Sequence, residues 1–436
     1  MTGTSSPLTR AIGLPHATAL VVGTIIGASI FVQPSEISAR VPSVGGVLLV
    51  WAVAGALTLI GALVCAELAS AFPKTGGVYV YLREAFGPAI GFLWGWAMFW
   101  VMHSGIIAAI AVVFARYAGF FVPLSPGQSK GLAIGVILLL SAINLVGVRQ
   151  GSRLQTAFTA GKLLAVFAIV AAGVLFGGRV EQHFVSPAVG SSVQLSDFLS
   201  GLLAGLFAFG GWHMVTYTSE ETVAPTSTIP RSLAIGTLLV TAIYLAMNAV
   251  YMYVLPLDRM AASTRVAADF AQALSGVDAG GAISAVVLFS TFGALAGIVL
   301  AGPRVYLAMA RDGLLFRWIG AVHPTFRTPH RAIILQAVWA SILVATGSFR
   351  TLFTRVAYTE WIFFGVLAIG LLVLRKKGTT AGRTWSLAAA PFLCSIFAIA
   401  AFAVSINEIV AHPVETLTGL ILVLAGIPLY YFAKRT

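Results

Sequence analysis

Charged and polar side chains that lie inside apolar segments are the first candidates for chemistry in this sequence. Lys162 follows Arg153 by nine residues, about 14 Å along a helix that rises 1.5 Å per residue. A lysine at that depth in a membrane is costly unless it has partners, although its long stem could also carry the ammonium group back to the interface. Glu360 is a candidate proton carrier without an identified partner. Glu67 fits better as the partner of a basic loop residue.

A first apolar segment, which contains GTIIGASIF, is interrupted near its middle by Gly27, Ala28 and Ser29. An interrupted helix leaves free amides at the start of its second half. Those amides, at the positive end of the helix dipole, suit a carboxylate group. The alternative is that Gly23 and Gly27 form a small-residue packing face. We expect the Lys162 ammonium group to lie against the free carbonyls of the same break, where it disfavours a bound cation.

A second interruption, FAFGGWH, begins at Phe207 and contains the pair Gly210–Gly211. Two glycines at mid-membrane cost about 1 kcal/mol each in helix propensity, which indicates a purpose for them. Carbonyls at the end of the first half-helix could accept an ammonium group, and nearby rings could cover the ligand. The candidates are Phe207, Ala208 and Phe209, with His213 as a possible pocket residue. Close approach of a neighbouring helix is the alternative explanation for the two glycines.

The composition shows what must position these residues. Of 436 residues, 59% are hydrophobic and 9% are charged, whereas a typical soluble domain is about 25% charged; mean hydropathy is +0.96. A membrane span needs about 20 apolar residues. The sequence therefore predicts an all-α polytopic membrane protein with twelve transmembrane helices and no soluble domain, at 12–40, 44–72, 88–118, 131–148, 153–177, 197–221, 232–255, 281–310, 331–347, 352–374, 385–406 and 414–433.

The two interruptions fall in spans 1 and 6, five spans apart. Interrupted spans at matching positions of two halves indicate a transporter's midplane binding site. We therefore predict one transporter domain made of repeat one (11–178), an inverted repeat two (196–376) and two additional helices (384–433). An odd number of spans in each repeat inverts the second copy relative to the first.

The distribution of basic residues predicts the orientation. Seventeen of the 26 lysines and arginines, Arg304 among them, are assigned to connectors and span ends on the side of the N-terminus, eight to the other side, and Lys162 to the interior of a span. Because cytoplasmic loops carry the excess of basic residues, both termini are predicted to be cytoplasmic. The net charge of +12 thus indicates topology in a bacterial-type inner membrane, with lipids as neighbours, and no nucleic-acid partner.

Enzymatic chemistry has little support in the sequence. The two cysteines, Cys65 and Cys394, lie in apolar segments, which leaves no disulfide framework and no cysteine-based zinc site. No HExxH, P-loop or nucleophile-elbow motif occurs, so we predict no catalytic residues, no metal and no cofactor. A channel would be expected to show a filter sequence or a polar pore stripe. The polar N-terminus also argues against a cleaved signal peptide.

Four motifs in order resemble the amino acid–polyamine–organocation superfamily, and within it the prokaryotic relatives of the L-type amino acid transporters. These are GTIIGASIF, the stretch CAELASAFPKTGGVYVYLREAFG from Cys65, FAFGGW with two glutamates downstream, and RVYLAMARDGLL from Arg304. The resemblance runs from Ile12 to Tyr431. It implies two inverted five-helix repeats that move amino acids by alternating access.

The resemblance also implies roles for particular residues. The family's carboxylate-binding loop, Gly-Ser-Gly, corresponds to Gly27, Ala28 and Ser29, so a serine replaces the last glycine. The span-five lysine corresponds to Lys162. The carbonyls that bind the substrate ammonium group correspond to Ile25, Phe207, Ala208 and Gly210.

The predicted function is sodium-independent transport of small-to-medium neutral L-amino acids, by exchange or with protons. In the resembling family, glycine at the position of Gly210 accompanies neutral substrates and aspartate accompanies cationic ones. Carriage of cationic amino acids or polyamines is the alternative. Eukaryotic members join a heavy chain through a cysteine after span 3; residues 119–130 contain none, so no disulfide-linked heavy chain is expected. The oligomeric state stays open.

Overall fold

The computed structural model describes residues 8–178, 193–276, 280–347 and 349–433. Within these ranges the chain is helical, and its extended pairing is a single bridge between Ile12 and Thr222. The predicted all-α polytopic architecture is confirmed. Arg179, Lys434 and Arg435, which contribute to the charge asymmetry, lie outside the described residues.

In the described part of the chain, nine helices are long and apolar enough to cross a membrane, and one bent pair makes a tenth span. The bent pair is Leu14–Ile25 with Ser29–Arg40. The nine are Val44–Ala71, Pro88–Ala118, Pro126–Val146, Val148–Phe176, Leu195–Glu221, Pro225–Val254, Gly280–Arg311, Tyr358–Lys376 and Ala390–Ala411.

Predicted spans 9 and 12 form helices that are shorter than a membrane-crossing helix requires. Span 9 is the 17-residue helix His330–Thr346, and span 12 is divided into Pro413–Leu424 and Gly426–Ala433. Of the twelve predicted spans, ten are therefore supported in the described part of the chain. Span 11 begins at Ala390 and not at 385, because Ala389 has a positive φ of 48° that interrupts the helix there.

Both predicted interruptions are present. Half-helix 1a (Leu14–Ile25) and half-helix 1b (Ser29–Arg40) are bent by 43°. In span 6, half-helix 6a (Leu195–Ala208) is followed by a turn and by the 3₁₀ segment 6b (Trp212–Glu221).

The two breaks contact each other directly. Gly211 adopts a φ of +99°, and a Cβ there would lie 3.0 Å from Cβ of Thr24. Glycine is therefore required both by the left-handed conformation and by the close approach. The Thr24 hydroxyl lies within hydrogen-bond distance of the Gly211 carbonyl, at 3.1 Å, and of the Leu20 carbonyl of its own helix, at 2.7 Å. This contact fixes the two interruptions side by side in the interior of the bundle.

Short helices complete the fold, at Val78–Phe86, Leu257–Ala262, Val266–Ser275 and Arg317–Gly320. The sequence predicts a surface helix within 256–280, and Val266–Ser275 is that helix. Its apolar side packs on the bundle and not on lipid: Phe270 is buried and its ring centroid lies 5.2 Å from that of Tyr251.

Candidate substrate site

A cavity of about 490 Å³ lies between the two breaks. Six predicted site residues line it: Ile25, Gly27, Ala28, Ser29, Phe207 and Gly210. It extends toward the C-terminal end of half-helix 1b. The opposite side of the bundle, where span 1 begins, is called the N-terminal face. The structure thus brings the breaks of spans 1 and 6 onto one space, as the paired glycine interruptions predict.

Free backbone donors occur at the first break. The amides of Gly27, Ala28 and Ser29 make no hydrogen bond among those found in the described chain, because they precede or begin half-helix 1b. Three adjacent N–H groups at the positive end of a helix are suited to a carboxylate. They need no arginine at mid-membrane to do so.

The carbonyls around the breaks already lie close to hydrogen-bond donors of the protein, which the sequence does not predict. The Tyr244 hydroxyl lies 3.1 Å from the Ile25 carbonyl and 3.0 Å from the Ala208 carbonyl, within hydrogen-bond distance of both. The Phe207 carbonyl accepts from the Gly210 amide at 2.9 Å. Since a carbonyl oxygen has two lone pairs, a substrate ammonium group would share these acceptors with groups of the protein.

Three predicted pocket residues do not line the cavity: Ala208, Phe209 and His213. Successive helical residues are rotated by about 100°, so Phe209 points almost opposite to Phe207. Its ring is buried 4.9 Å from that of Tyr244. His213 follows the turn, and its ring lies 4.8 Å from that of Phe364. Phe209 therefore packs against Tyr244 and does not line this cavity, whereas Phe207 does.

Lys162 lies where the sequence predicts. Its Nζ atom donates to the carbonyls of Gly23 at 2.8 Å and Ile26 at 2.7 Å. Its stem passes span 8 at Gly293, where a Cβ would come within 2.9 Å of the lysine Cε. The hydroxyl of Ser290, also on span 8, donates to the Gly27 carbonyl at 3.1 Å. Span 5 and span 8 therefore both hold the broken segment of span 1.

The N-terminal face is closed by a buried ion pair. Arg304 donates from Nε and Nη2 to the two carboxylate oxygens of Glu221, at 2.7 and 2.8 Å, and both side chains are 0% exposed. The charge sorting assigned Arg304 to a cytoplasmic connector; the structure places it inside the bundle. The chain before span 1 crosses the same place, where the amides of Ala11 and Ile12 donate to the Glu221 carbonyl.

A second layer of polar contacts lies at the same face. Glu220 accepts from Arg311 at 2.9 Å and from the Thr75 amide at 3.2 Å. Tyr79 donates to Asp312 at 2.7 Å, and Arg83 also pairs with Asp312. Burial, and then the hydrogen bond to Asp312, raises the pKa of the Tyr79 phenol, so it stays a donor at physiological pH.

Glu67 has the structural role expected for it. Its carboxylate pairs with Arg375 at 2.6 Å and with Arg383 at 3.1 Å, and it accepts from the Leu387 amide at 2.7 Å. These contacts join span 2 to the end of span 10 and to the connector before span 11. The role of Glu67 as the partner of basic residues is confirmed.

The opposite end of the cavity is polar. Glu36 and Arg40 form an ion pair at 2.9 Å on half-helix 1b, and Arg116 and Glu408 also line this end. No comparable buried ion pair crosses it within the described ranges. The cavity is therefore open toward this face and closed toward the N-terminal face.

The sequence reasoning missed the residues that join the elements. Tyr244 links the two breaks, Ser290 links span 8 to span 1, and the Glu221–Arg304 pair closes one face. The motifs around Glu221 and Arg304 contain the signal for the ion pair, since a glutamate and an arginine both border apolar segments. Tyr244 and Ser290 resemble many other hydroxyl residues in membrane helices and carry no such signal.

We predict that Glu221→Gln lowers thermal stability and favours opening of the N-terminal face. The variant leaves the Arg304 guanidinium buried without a counter-charge, which costs about 3–5 kcal/mol. Thermal unfolding followed by size-exclusion chromatography measures this. Glu36→Gln is the control, because an exposed ion pair contributes only about 0–1 kcal/mol. Equal stability of the two variants would contradict the role of the Glu221–Arg304 pair.

Comparisons with known proteins agree with this geometry. A sequence profile of the family described as amino acid permease matches residues 12–427. The serine/threonine exchanger SteT of Bacillus subtilis is 33% identical over 431 residues, which are 98% of each chain. The human large neutral amino acids transporter small subunit 2 is 34% identical over 97% of this chain and 80% of its own. The mouse Asc-type amino acid transporter 1 is 31% identical over 97% and 81%.

These matches span nearly all of the chain, including both broken helices, Lys162 and the closed N-terminal face. The chain is therefore a multi-pass membrane protein that belongs to the amino acid permease family.

Proposed function

We propose that this protein transports small-to-medium neutral L-amino acids across the cell membrane by alternating access, by exchange or with protons, without sodium and without enzymatic activity. The observation that carries the proposal is the cavity between the two broken spans, which has amide donors at one end of its base and carbonyl acceptors at the other. An α-amino acid presents a carboxylate, which such amides can bind, and an ammonium group, which such carbonyls can accept. The matched relatives include a serine/threonine exchanger and a large neutral amino acids transporter subunit.

The base of the cavity supports neutral substrates. Around the breaks its side chains are apolar or hydroxyl-bearing, among them Ile25, Ala28, Ser29 and Phe207. The acidic lining residues, Glu36 and Glu408, lie toward the open end, and Glu36 is already paired with Arg40. A substrate side chain held beside the breaks therefore meets no unpaired carboxylate among the residues that line this part of the cavity.

We propose that the N-terminal face is the cytoplasmic one. The excess of basic residues on that side supports this orientation, and the basic side chains found there include Arg311, Arg375 and Arg383. With this orientation the structure is an outward-open state, and the Glu221–Arg304 pair belongs to the closed inner gate. Both termini would then be cytoplasmic, in a bacterial-type inner membrane.

We also propose the inverted-repeat division, 11–178 and 196–376, followed by 384–433. The breaks at equivalent positions of spans 1 and 6 support it. The protein would act without a disulfide-linked heavy chain, because residues 119–130 have no cysteine and both cysteines, Cys65 and Cys394, are buried.

The direct test is counterflow into proteoliposomes. Vesicles loaded with unlabelled serine should accumulate labelled serine, threonine, alanine and leucine, with saturation and with stimulation by internal substrate. Passive, non-saturable flux would contradict a transporter. Absence of counterflow with every neutral amino acid would contradict the proposed function.

Gly27→Val is expected to weaken substrate binding at least about tenfold, because a β-branched residue restricts the backbone that presents the amides and each lost hydrogen bond to a charged group is worth about 1.5–3 kcal/mol. The protein should still fold: a Cβ at Gly27 would lie 3.6 Å from Cβ of Ala294, an ordinary contact. Binding is measured as serine-induced thermal stabilisation.

Gly135→Val is the matched control for that variant. Gly135 is exposed on span 4, and a Cβ there meets nothing within 4 Å. It should bind serine like the native protein. If Gly27→Val binds serine as well as the control does, the amides of the first break do not hold the carboxylate.

A further inference from the structure

Glu360 and His213 form a pair in the interior of the bundle that the cavity does not include. Glu360 lies on span 10, fifteen residues before Arg375, roughly 22 Å from that end of the helix. Its Oε1 atom is 3.7 Å from Nε2 of His213, and the two side chains are 10% and 0% exposed. The pair therefore lies inside the bundle, within the membrane-spanning part of the chain.

Aromatic rings enclose the imidazole. Its centroid is 6.0 Å from Trp94, 5.3 Å from Trp212 and 5.4 Å from Tyr217. Both ring nitrogens of His213 are buried without a hydrogen-bond partner. The 3.7 Å separation from Glu360 is itself too long for a hydrogen bond.

The other titratable groups around the pair include the imidazole of His103 on span 3 and the phenol of Tyr217, whose ring centroid lies 5.4 Å from that of His213. Tyr217 in turn has the thiol of Cys65 and the phenols of Tyr81 and Tyr306 as neighbours. Within the described ranges no lysine or arginine lies at ion-pair distance from Glu360. The pair is thus isolated from fixed positive charge.

This isolation distinguishes Glu360 from the other buried carboxylates. Glu67 has two arginines and Glu221 has one. An ionised carboxylate buried within a membrane-spanning bundle without a cation costs several kcal/mol. A proton is the cation that fits a carboxylate and an imidazole placed this close, because either group can carry it and the other can accept a hydrogen bond from it.

The position of the imidazole connects the pair to the moving part of the molecule. His213 is the second residue of segment 6b, directly after the left-handed turn at Gly211. Gly210, at the other side of that turn, lines the cavity. Rotation of 6b about the turn would change the separation between the imidazole and Glu360, and a proton on the pair would favour one separation over the other.

We propose that Glu360 and His213 are a proton-binding site, and that one proton taken up from water on one side accompanies each amino acid and is released to water on the other. The pair binds the proton at Glu360 Oε1 or His213 Nε2, and no other bond is made or broken. This proposal rests on the proposed transport function and assigns its coupling ion.

The test uses the full-length protein in proteoliposomes that contain a pH-sensitive dye, with the membrane potential clamped by potassium and valinomycin. External serine, added to vesicles without internal substrate, should acidify the interior in the native protein. Serine counterflow at equal pH is measured in parallel. Counterflow without acidification would overturn the proton site and leave the proposed function standing, whereas loss of both in the native protein would overturn both.

Two variants locate the site. Glu360→Gln should keep counterflow and lose serine-driven acidification at least about tenfold, because the amide cannot take up the proton. His213→Gln should shift the pH midpoint of serine uptake toward acid by about one unit, since the shared proton loses one acceptor. Asp258→Asn, an exposed carboxylate outside the spans, is the matched control and should match the native protein.

If serine acidifies vesicles that contain Glu360→Gln as much as vesicles that contain the Asp258→Asn control, the proposal is overturned. If Glu360→Gln does not yield folded protein, the His213→Gln profile decides. A midpoint identical to the native one overturns the pair as the proton site, and the acid shift supports it.

Discussion

Replacing Lys162 with alanine is expected to lower amino acid exchange at least about tenfold, while the native protein transports equally well in sodium and in choline. The ammonium group donates two hydrogen bonds, to the carbonyls of Gly23 and Ile26. In the alanine variant these acceptors, which belong to buried residues, lose their donor. Each buried unsatisfied group costs about 1–3 kcal/mol, so the assembled break becomes at least about tenfold less populated at about 1.4 kcal/mol per decade.

The same geometry explains the independence from sodium. A cation at the break of span 1 would need the Gly23 and Ile26 carbonyls, and the lysine already occupies both. Its stem fills the space beside Gly293 of span 8. A fixed positive charge there excludes a second one by repulsion and by loss of ligands.

Lys130→Ala is the matched control for Lys162→Ala. Lys130 also donates to a backbone carbonyl, that of Ala345 at 2.6 Å, but it is exposed to solvent. Serine counterflow compares the two variants. Normal turnover of Lys162→Ala would show that the lysine has no mechanistic role, and native transport that requires sodium would contradict the fixed-cation explanation.

Much of this site follows from the sequence because its features are properties of the backbone. Gly27 and the pair Gly210–Gly211 lie near the middle of apolar segments, where glycine weakens a helix, so both breaks are predictable from the positions of these residues in two matching spans. Lys162 is predictable for a related reason: a buried ammonium group needs acceptors, and a broken helix is the place in a membrane where carbonyls are free.

Side-chain partnerships between distant spans could not be predicted in the same way. Nothing in the local sequence places Tyr244 between the carbonyls of Ile25 and Ala208, or His213 beside Glu360. The direction of Phe209 depends on where half-helix 6a ends, and a shift of one residue in that end would exchange it with a neighbour. These contacts depend on how spans 1, 6, 7 and 10 are arranged, which one sequence does not encode in any short motif.

Arginine is expected to compete with labelled serine at least about a hundredfold more weakly than unlabelled serine does. Moving a charged side chain to the base of the cavity without a partner costs several kcal/mol, and about 1.4 kcal/mol corresponds to each decade of affinity. The nearest acidic residue on half-helix 1b, Glu36, is already paired with Arg40. Uptake of labelled serine against a concentration series of each competitor measures the ratio.

Gly210→Asp tests the cause of that selectivity, because it adds a carboxylate to the lining beside Phe207. A Cβ at this position would lie 3.0 Å from the Phe207 carbonyl, so the substitution crowds the break whatever its charge. Gly210→Asn causes the same crowding without the charge and is therefore the control. Relative to Gly210→Asn, the aspartate should raise the affinity for arginine by at least about tenfold, the effect of a single charge-assisted hydrogen bond. Equal arginine affinity in the two variants would show that charge at Gly210 does not set the substrate class, and native protein in which arginine competes as well as serine would favour a carrier of cationic substrates.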